Sequence, residues 1–252
     1  MLRLVKEDCF KFLAALPDES VDLAVIDPPY FEIIDEKWDN QWANENDYLD
    51  WCRKWTMEAD RVLKPGGCIY VWGTTKTDTF LRYKLEVINK VPGFHYQNWL
   101  IWAYDWGGRT KKTFPRKHED VLMYSKGKDF LFNADDIRVP YKMAKNIRQG
   151  ATNNPLGKIP TDVWTKNNHT TSKEYVGWHP TQKPIELLER IIKANTNPGD
   201  TVLDFFAGTA STLVAAANTK RSFVGCESDP AYYQLSLQRV ADLIGPVQIV
   251  TV

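Results

Sequence analysis

The sequence predicts an α/β fold: a mainly parallel, twisted sheet with helices on both faces. Three observations lead there. Short apolar runs rich in β-branched and aromatic residues recur along the chain, and helical periodicity fills several of the gaps between them. Near the C-terminal end, an apolar run passes through a glycine turn into an alanine-rich stretch, the order strand, turn, helix. With 252 residues, 43% of them hydrophobic, the chain can bury a sizeable core as one domain over residues 1–252 carrying an insertion.

Taken in order, strands are expected at 2–5, 23–26, 68–72, 99–104, 121–124, 202–206 and 223–226. A helix is expected over 48–63, where Leu49, Trp51, Trp55, Ala59 and Val62 recur near a 3.6 period, and another over 184–195 through Ile185, Leu188, Ile191 and Ile192. Residues 138–178 break the rhythm, being rich in Asn, Thr, Lys and Gly, and read as a long loop or insertion.

Net charge is zero, yet the signs are segregated. Residues 1–63 hold 15 acidic against 7 basic side chains, whereas residues 105–173 hold 14 basic against 7 acidic. A basic middle on an acidic chain suits a polyanionic partner, though a solvated face would look the same. Cys9, Cys52, Cys68 and Cys226 lack C-x-x-C spacing, so neither a zinc site nor a disulfide framework is suggested. No charged-then-apolar leader opens the sequence and no apolar stretch reaches membrane-spanning length, so a cytoplasmic protein without a membrane partner is expected.

The turn at 204–211 contains Asp204, Phe206, Gly208, Thr209 and Ser211 and brings backbone N–H groups and a helix N-terminus toward a ligand. The next strand ends in Glu227, 23 positions past Asp204, near the spacing at which an acid meets a ribose hydroxyl in nucleotide-binding sheets. An acid at the strand end repels a pyrophosphate but attracts an amino-bearing or cationic ligand. S-adenosylmethionine, with its ammonium, sulfonium and ribose diol, fits better than a dinucleotide, which would call for a fuller glycine run than Gly208 and Ala210 provide.

An earlier apolar run, Val-Asp-Leu-Ala-Val-Ile at 21–26, stops at Asp27-Pro28-Pro29-Tyr30. Two prolines make the segment rigid, so the Asp27 carboxylate and the Pro28 carbonyl become fixed acceptors for one amino group, with the Tyr30 ring as a stacking face. These residues resemble the DNA amino-methyltransferases that use S-adenosylmethionine. Besides the tetrad, the likeness covers the Asp204, Phe206, Gly208 turn, the His-Pro-Thr-Gln-Lys-Pro segment at 179–184, and stretches at 98–102, 114–119 and 121–126, extending over about residues 2–240.

The resemblance implies a Rossmann-like methyltransferase fold in the circularly permuted order of the beta group, with the N-terminal strand lying beside the strand that ends in Glu227. It implies adenine N6 as the acceptor, since tetrads opening with Asp accompany adenine and those opening with Ser more often cytosine N4. The catalytic set would be Asp27, Pro28, Pro29 and Tyr30. The cofactor would be held by Asp8, Cys9, Asp27, His179, Lys183, Asp204, Phe206, Gly208, Thr209, Ser211 and Glu227, with Lys183 pairing with the cofactor's carboxylate. One departure is Ala210, where the family's turn commonly has glycine.

Double-stranded DNA is the implied partner, with Arg109, Lys111, Lys112, Arg116, Lys117 and His118 neutralising phosphates within a 105–178 recognition insertion. His118 with Glu119 also suits the fixing of a loop. Trp99, Trp102, Tyr104 and Trp106 are candidates to repay base extrusion, although alternation puts Trp102 and Tyr104 on one strand face, as core packing would. A homodimer and a companion restriction endonuclease are left open by the residues. So are cytosine N4 chemistry, a non-catalytic nucleic-acid reader and a dinucleotide-dependent oxidoreductase.

Overall fold

A computed structural model of the chain describes residues 1–105, 109–141, 154–165, 174–175 and 181–245, together with the backbone of 249–250. Among these, nine strands form one sheet: β1 (Leu2–Lys6), β2 (Val21–Ile26), β3 (Leu63–Gly73), β4 (Phe94–Ala103), β5 (His118–Lys126), β6 (Val163–Thr165), β7 (Thr201–Asp204), β8 (Ser222–Glu227) and β9 (Ile249–Val250). Their spatial order is β6-β4-β5-β3-β2-β7-β8-β1-β9. Only β5 runs against its neighbours, so the sheet is mainly parallel as expected.

The helices are α1 (Cys9–Ala14), α2 (Glu45–Val62), α3 (Thr79–Arg82), α4 (Ile185–Asn195), α5 (Ser211–Asn218) and α6 (Pro230–Ile244). Alternation along the central strand distributes them. Val21, Ala24 and Ile26 of β2 face a core shared with α1 and α2, while Leu23 and Val25 face one shared with α4, α5 and α6. α2 starts where the Asn44 side chain accepts the N–H groups of Asn46 at 2.9 Å and Asp47 at 3.1 Å, and it buries Tyr48, Leu49, Cys52, Trp55, Ala59 and Val62 on one stripe. α6 starts on Asp229, which caps Ala231 and Tyr232, with Pro230 at its first position.

β1 lies parallel to β8, Leu2 opposite Phe223 through Lys6 opposite Glu227, the place expected for the permuted N-terminal strand. The stretch 138–178, expected as a loop, contributes a sheet strand. β6 pairs with β4, Trp102 opposite Trp164, and buries Trp164 alone of its three side chains. Strands β3 and β4 also begin five residues earlier than expected, at Leu63 and Phe94.

From β2 the chain crosses by α2 to β3 on one side, and from β7 it crosses by α5 to β8 on the other. The order therefore reverses between β2 and β7, which opens a crevice beyond their C-terminal ends.

Candidate active site

Asp27 follows β2 and Asp204 ends β7, and these strands are adjacent, with Leu23 opposite Val202 and Ala24 opposite Leu203. Continuing that register sets Asp204 level with Val25, so the two acids stand roughly 8 Å apart between Cα atoms by strand spacing and rise. A cavity of about 760 Å³ opens over them and is lined by the whole tetrad, by Asp204–Thr209 and Ser211, and by Asp8, Cys9, Lys183 and Glu227. Strand ends 177 positions apart in the sequence thus share one chamber.

The turn after β7 is built by close backbone approach. Gly208 and Ala210 both adopt the left-handed conformation, with φ of 50° and 60°. For Ala210 this is an unfavourable backbone, which is the physical reason a glycine would be at ease there. The Asp204 carboxylate accepts the N–H of Phe206 at 3.0 Å. Glu227 accepts the N–H of Gly208 at 2.8 Å through one oxygen and that of Asp229 at 2.8 Å through the other, tying the turn to the start of α6. Gly225 lets β7 and β8 close together, since a Cβ there would lie 2.3 Å from the Asp204 carbonyl.

Burial dominates the electrostatics of this wall. It pushes the Asp204 carboxyl up to about 7, helped by Asp27 and Glu227 and opposed by bonds from Thr212 and Phe206. The Glu227 carboxyl is raised for the same reason, and the Cys9 thiol is pushed up to about 12. Buried acids lining a roomy chamber favour a cationic, hydroxyl-bearing ligand and disfavour a pyrophosphate. Phe206 extends an aromatic wall, its ring 5.4 Å from that of Trp51, which stacks in turn on Tyr48 at 5.9 Å.

Around Asp27 side chains converge from distant segments. The Tyr30 hydroxyl donates to one Asp27 oxygen at 2.7 Å and lies 3.4 Å from Glu119, while the Lys183 ammonium donates to the other Asp27 oxygen at 2.6 Å and lies 3.2 Å from Glu119. Lys183, expected at a cofactor carboxylate, is therefore committed to the carboxylates of Asp27 and Glu119, and only 4% of it is exposed. Burial works to lower its pKa, but Asp27 and Glu119 outweigh it and hold the ammonium above its ordinary value. Burial raises Glu119, with Lys183 pulling it back, and lifts the Tyr30 phenol well above its usual range. The Pro29 carbonyl accepts from the Tyr48 hydroxyl at 2.9 Å, which anchors the tetrad to α2.

Other expected residues fall in several places. The Asp8 carboxylate lines the chamber and caps α1, accepting from Phe10 at 3.0 Å and Lys11 at 3.2 Å. Arg109, Lys111, Lys112 and Arg116 are exposed between β4 and β5, and Arg116 and His118 reach the chamber wall. Lys117 is half-buried, its carbonyl accepting the N–H of Tyr104 at 2.9 Å. Trp102 is core, as alternation allowed, whereas Tyr104 lines the chamber; Trp99 donates to the buried Asp120 at 2.8 Å. His179 and Trp106 lie outside the described residues.

Sequence reasoning missed Asp39, whose carboxylate is wholly buried and accepts the N–H groups of Ile33 at 2.7 Å and Ile34 at 2.9 Å, shaping the loop after the tetrad. It also missed Arg239, a buried guanidinium that donates to the Thr209 carbonyl at 2.7 Å and the Ser211 hydroxyl at 3.0 Å, bracing the turn from α6. An arginine on the apolar stripe of a helix was the available signal.

Comparison with known proteins agrees with this geometry. The profile of a family described as DNA methylase, covering N6 and N4 enzymes, matches residues 21–238. The type II methyltransferase M.HpaI of Haemophilus parainfluenzae is 35% identical over 240 residues, spanning 94% of this chain and 74% of that protein. The DNA adenine methyltransferase YhdJ of Escherichia coli strain K12 is 33% identical over 253 residues, spanning 94% and 82%.

Among solved structures, the cytosine-N4-specific PvuII DNA methyltransferase has a TM-score of 0.74 at 20% identity, over 94% of this chain and 85% of that one. A DNA modification methylase of Thermus thermophilus, TTHA0409, solved with S-adenosyl-L-methionine, has a TM-score of 0.67 at 23% identity, over 100% and 98%. At those identities the two structures bear on the fold, which is the Rossmann-like methyltransferase fold. The chain belongs to the N6/N4 DNA methylase family, the amino-methyltransferases of DNA.

Proposed function

We propose that the protein transfers a methyl group from S-adenosylmethionine to the exocyclic N6 amine of an adenine flipped out of duplex DNA. The carrying observation is that the tetrad after β2 and the turn after β7 line one chamber. Asp204 and Glu227 would meet the cofactor's cationic and hydroxyl groups, with Asp8 and Cys9 at the far wall and Phe206 against its ring. The buried acids of this wall, which would repel a pyrophosphate, support that donor set. When bound, the cofactor supplies a methyl group activated on a sulfonium.

Asp27 and the Pro28 carbonyl would accept the amine's two hydrogens, turning its lone pair out of conjugation and toward the donor, while the Tyr30 ring stacks on the base. The methylated nitrogen is cationic and strongly acidic, so Asp27 or water can take its proton without a specially tuned base. Extrusion of the base costs a few kcal/mol, which stacking and phosphate contacts would offset. We assign those phosphate contacts to the exposed strip from Arg109 to Arg116, at the head of a DNA-contacting insertion spanning 105–178 within a single domain. Adenine is favoured over cytosine because the tetrad opens with an aspartate, and the relatives named above include an adenine enzyme.

Expression in a host stripped of its own methyltransferases, followed by single-molecule sequencing of the genomic DNA, tests this directly. N6-methyladenine at one short motif is expected. N4-methylcytosine would move the assignment to the other branch of the family, and unmodified DNA would refute the reading. Asp27→Ala should abolish transfer while cofactor affinity by calorimetry stays within about tenfold, because the turn is untouched.

A further inference from the structure

Both oxygens of Asp27 already carry a donor, Tyr30 on one and Lys183 on the other, and Lys183 is braced by Glu119 at 3.2 Å. The three charged groups come from the tip of β2, the start of β5 and the approach to α4, so nothing local in the chain requires them to meet. A buried ammonium between two carboxylates is a poor device for stability, because desolvation consumes most of the attraction. Placed against the amine-binding acid, it does something else.

Resting on the methyl-transfer reading, we propose that Lys183, held by Glu119, is a positioning residue of the transfer step: it locks the Asp27 carboxylate in the orientation that meets the amine and leaves the corner with one net negative charge. The charge count follows from the reaction. The amine lone pair forms the new C–N bond, the electron pair of the broken S–C bond stays on sulfur, and nitrogen carries the positive charge until a proton leaves for Asp27 or water. One positive charge therefore faces the corner before and after transfer. Asp27 and Lys183 alone would be neutral and would repel the developing cation through the ammonium. Glu119 cancels the ammonium and leaves Asp27 uncompensated.

Other ionisable groups around this corner are Tyr30 on its own segment, Asp204 on β7, Tyr104 beyond β4, Arg116 in the basic loop, and His118 and Asp120 flanking Glu119 on β5. All are unchanged in the variants that test the proposal, so differences between variants report on Lys183 and Glu119.

The experiment measures single-turnover methyl transfer against pH, together with a ¹³C NMR titration of the Glu119 carboxyl, which needs no reaction. Lys183→Met should slow transfer at neutral pH by at least about tenfold with little change in DNA affinity, and should move the acid limb of the rate profile and the Glu119 midpoint up by about one unit or more. The double variant Lys183→Met with Glu119→Gln restores one net negative charge and should return the acid limb toward wild type, which a merely structural lysine would not do. Glu119→Gln alone, the milder change, should shift the limb downward.

An unmoved Glu119 midpoint in Lys183→Met, or a double variant whose limb stays where the single variant put it, overturns the proposal. A wild-type protein that methylates nothing would instead refute the proposed function, and the carboxyl titration would still decide whether Lys183 sets the charge of this corner.

Discussion

Replacing Asp204 by asparagine separates what the buried acid does for folding from what it does for binding. The side chain is 4% exposed and its carboxyl titrates at about 7 in the folded protein, against an ordinary value of 3.8. A difference of that size corresponds to about 4 kcal/mol in favour of the protonated form on folding. The folded state therefore holds a proton that the unfolded state has released between those two values. Stability that is fully present below pH 3.8 is lost as pH rises through about 7.

Asparagine cannot ionise, keeps an oxygen for the Phe206 N–H, and offers an amide to Thr212. Urea unfolding from pH 4 to pH 8 should find the variant near wild type at the acid end and more stable at pH 8, with about 4 kcal/mol as a ceiling. Glu119 and Glu227 titrate in both proteins, so the difference curve isolates Asp204. Calorimetry on the same samples should show S-adenosylmethionine affinity falling about tenfold to a hundredfold, the cost of losing a charged hydrogen-bond acceptor. A stability difference that is flat across pH, or a variant less stable than wild type at pH 8, would refute the assignment of a strained, function-bearing acid.

Three further outcomes follow from the same geometry. Ala210→Gly relieves a left-handed backbone worth about 1–2 kcal/mol but frees the unfolded chain and removes a buried methyl, so urea unfolding should stay within about 1 kcal/mol of wild type; a loss above about 2 would mean that the methyl is essential packing. Gly225→Ala forces β7 and β8 apart at the Asp204 carbonyl and should cost at least about 2 kcal/mol, with unchanged stability contradicting the close approach. Neutralising Arg109, Lys111, Lys112 and Arg116 together should reduce the slope of log K against log salt for DNA binding by up to about 3 to 4, and an intact slope would remove the strip from the interface.

The sheet was legible because its strands are buried on both faces and read as continuous β-branched runs, and α2 and α4 because their apolar stripes keep a 3.6 period. The placement of β1 beside β8 was legible from topology, since little sheet remained after Glu227. β6 was not. Its three residues bury one tryptophan among polar neighbours, and pairing with the edge of β4, rather than any local pattern, makes it a strand.

The tetrad and the turn could be read as motifs, but not their partners. Lys183 lies 156 positions from Asp27, and a lysine before a helix gives no sign of which acid it will meet. Ala210 stood out as an unusual residue, while its meaning depended on a φ angle that composition does not encode.

The most direct test uses S-adenosylmethionine with a deuterated methyl group, duplex DNA and purified protein, followed by mass spectrometry of the released nucleosides. Deuterated methyl on the adenine amine with wild type, and none with Asp27→Ala, is the predicted result. Equal labelling by the two proteins, or label on no nucleoside at all, would contradict the claim that the tip of β2 and the turn after β7 work as one site.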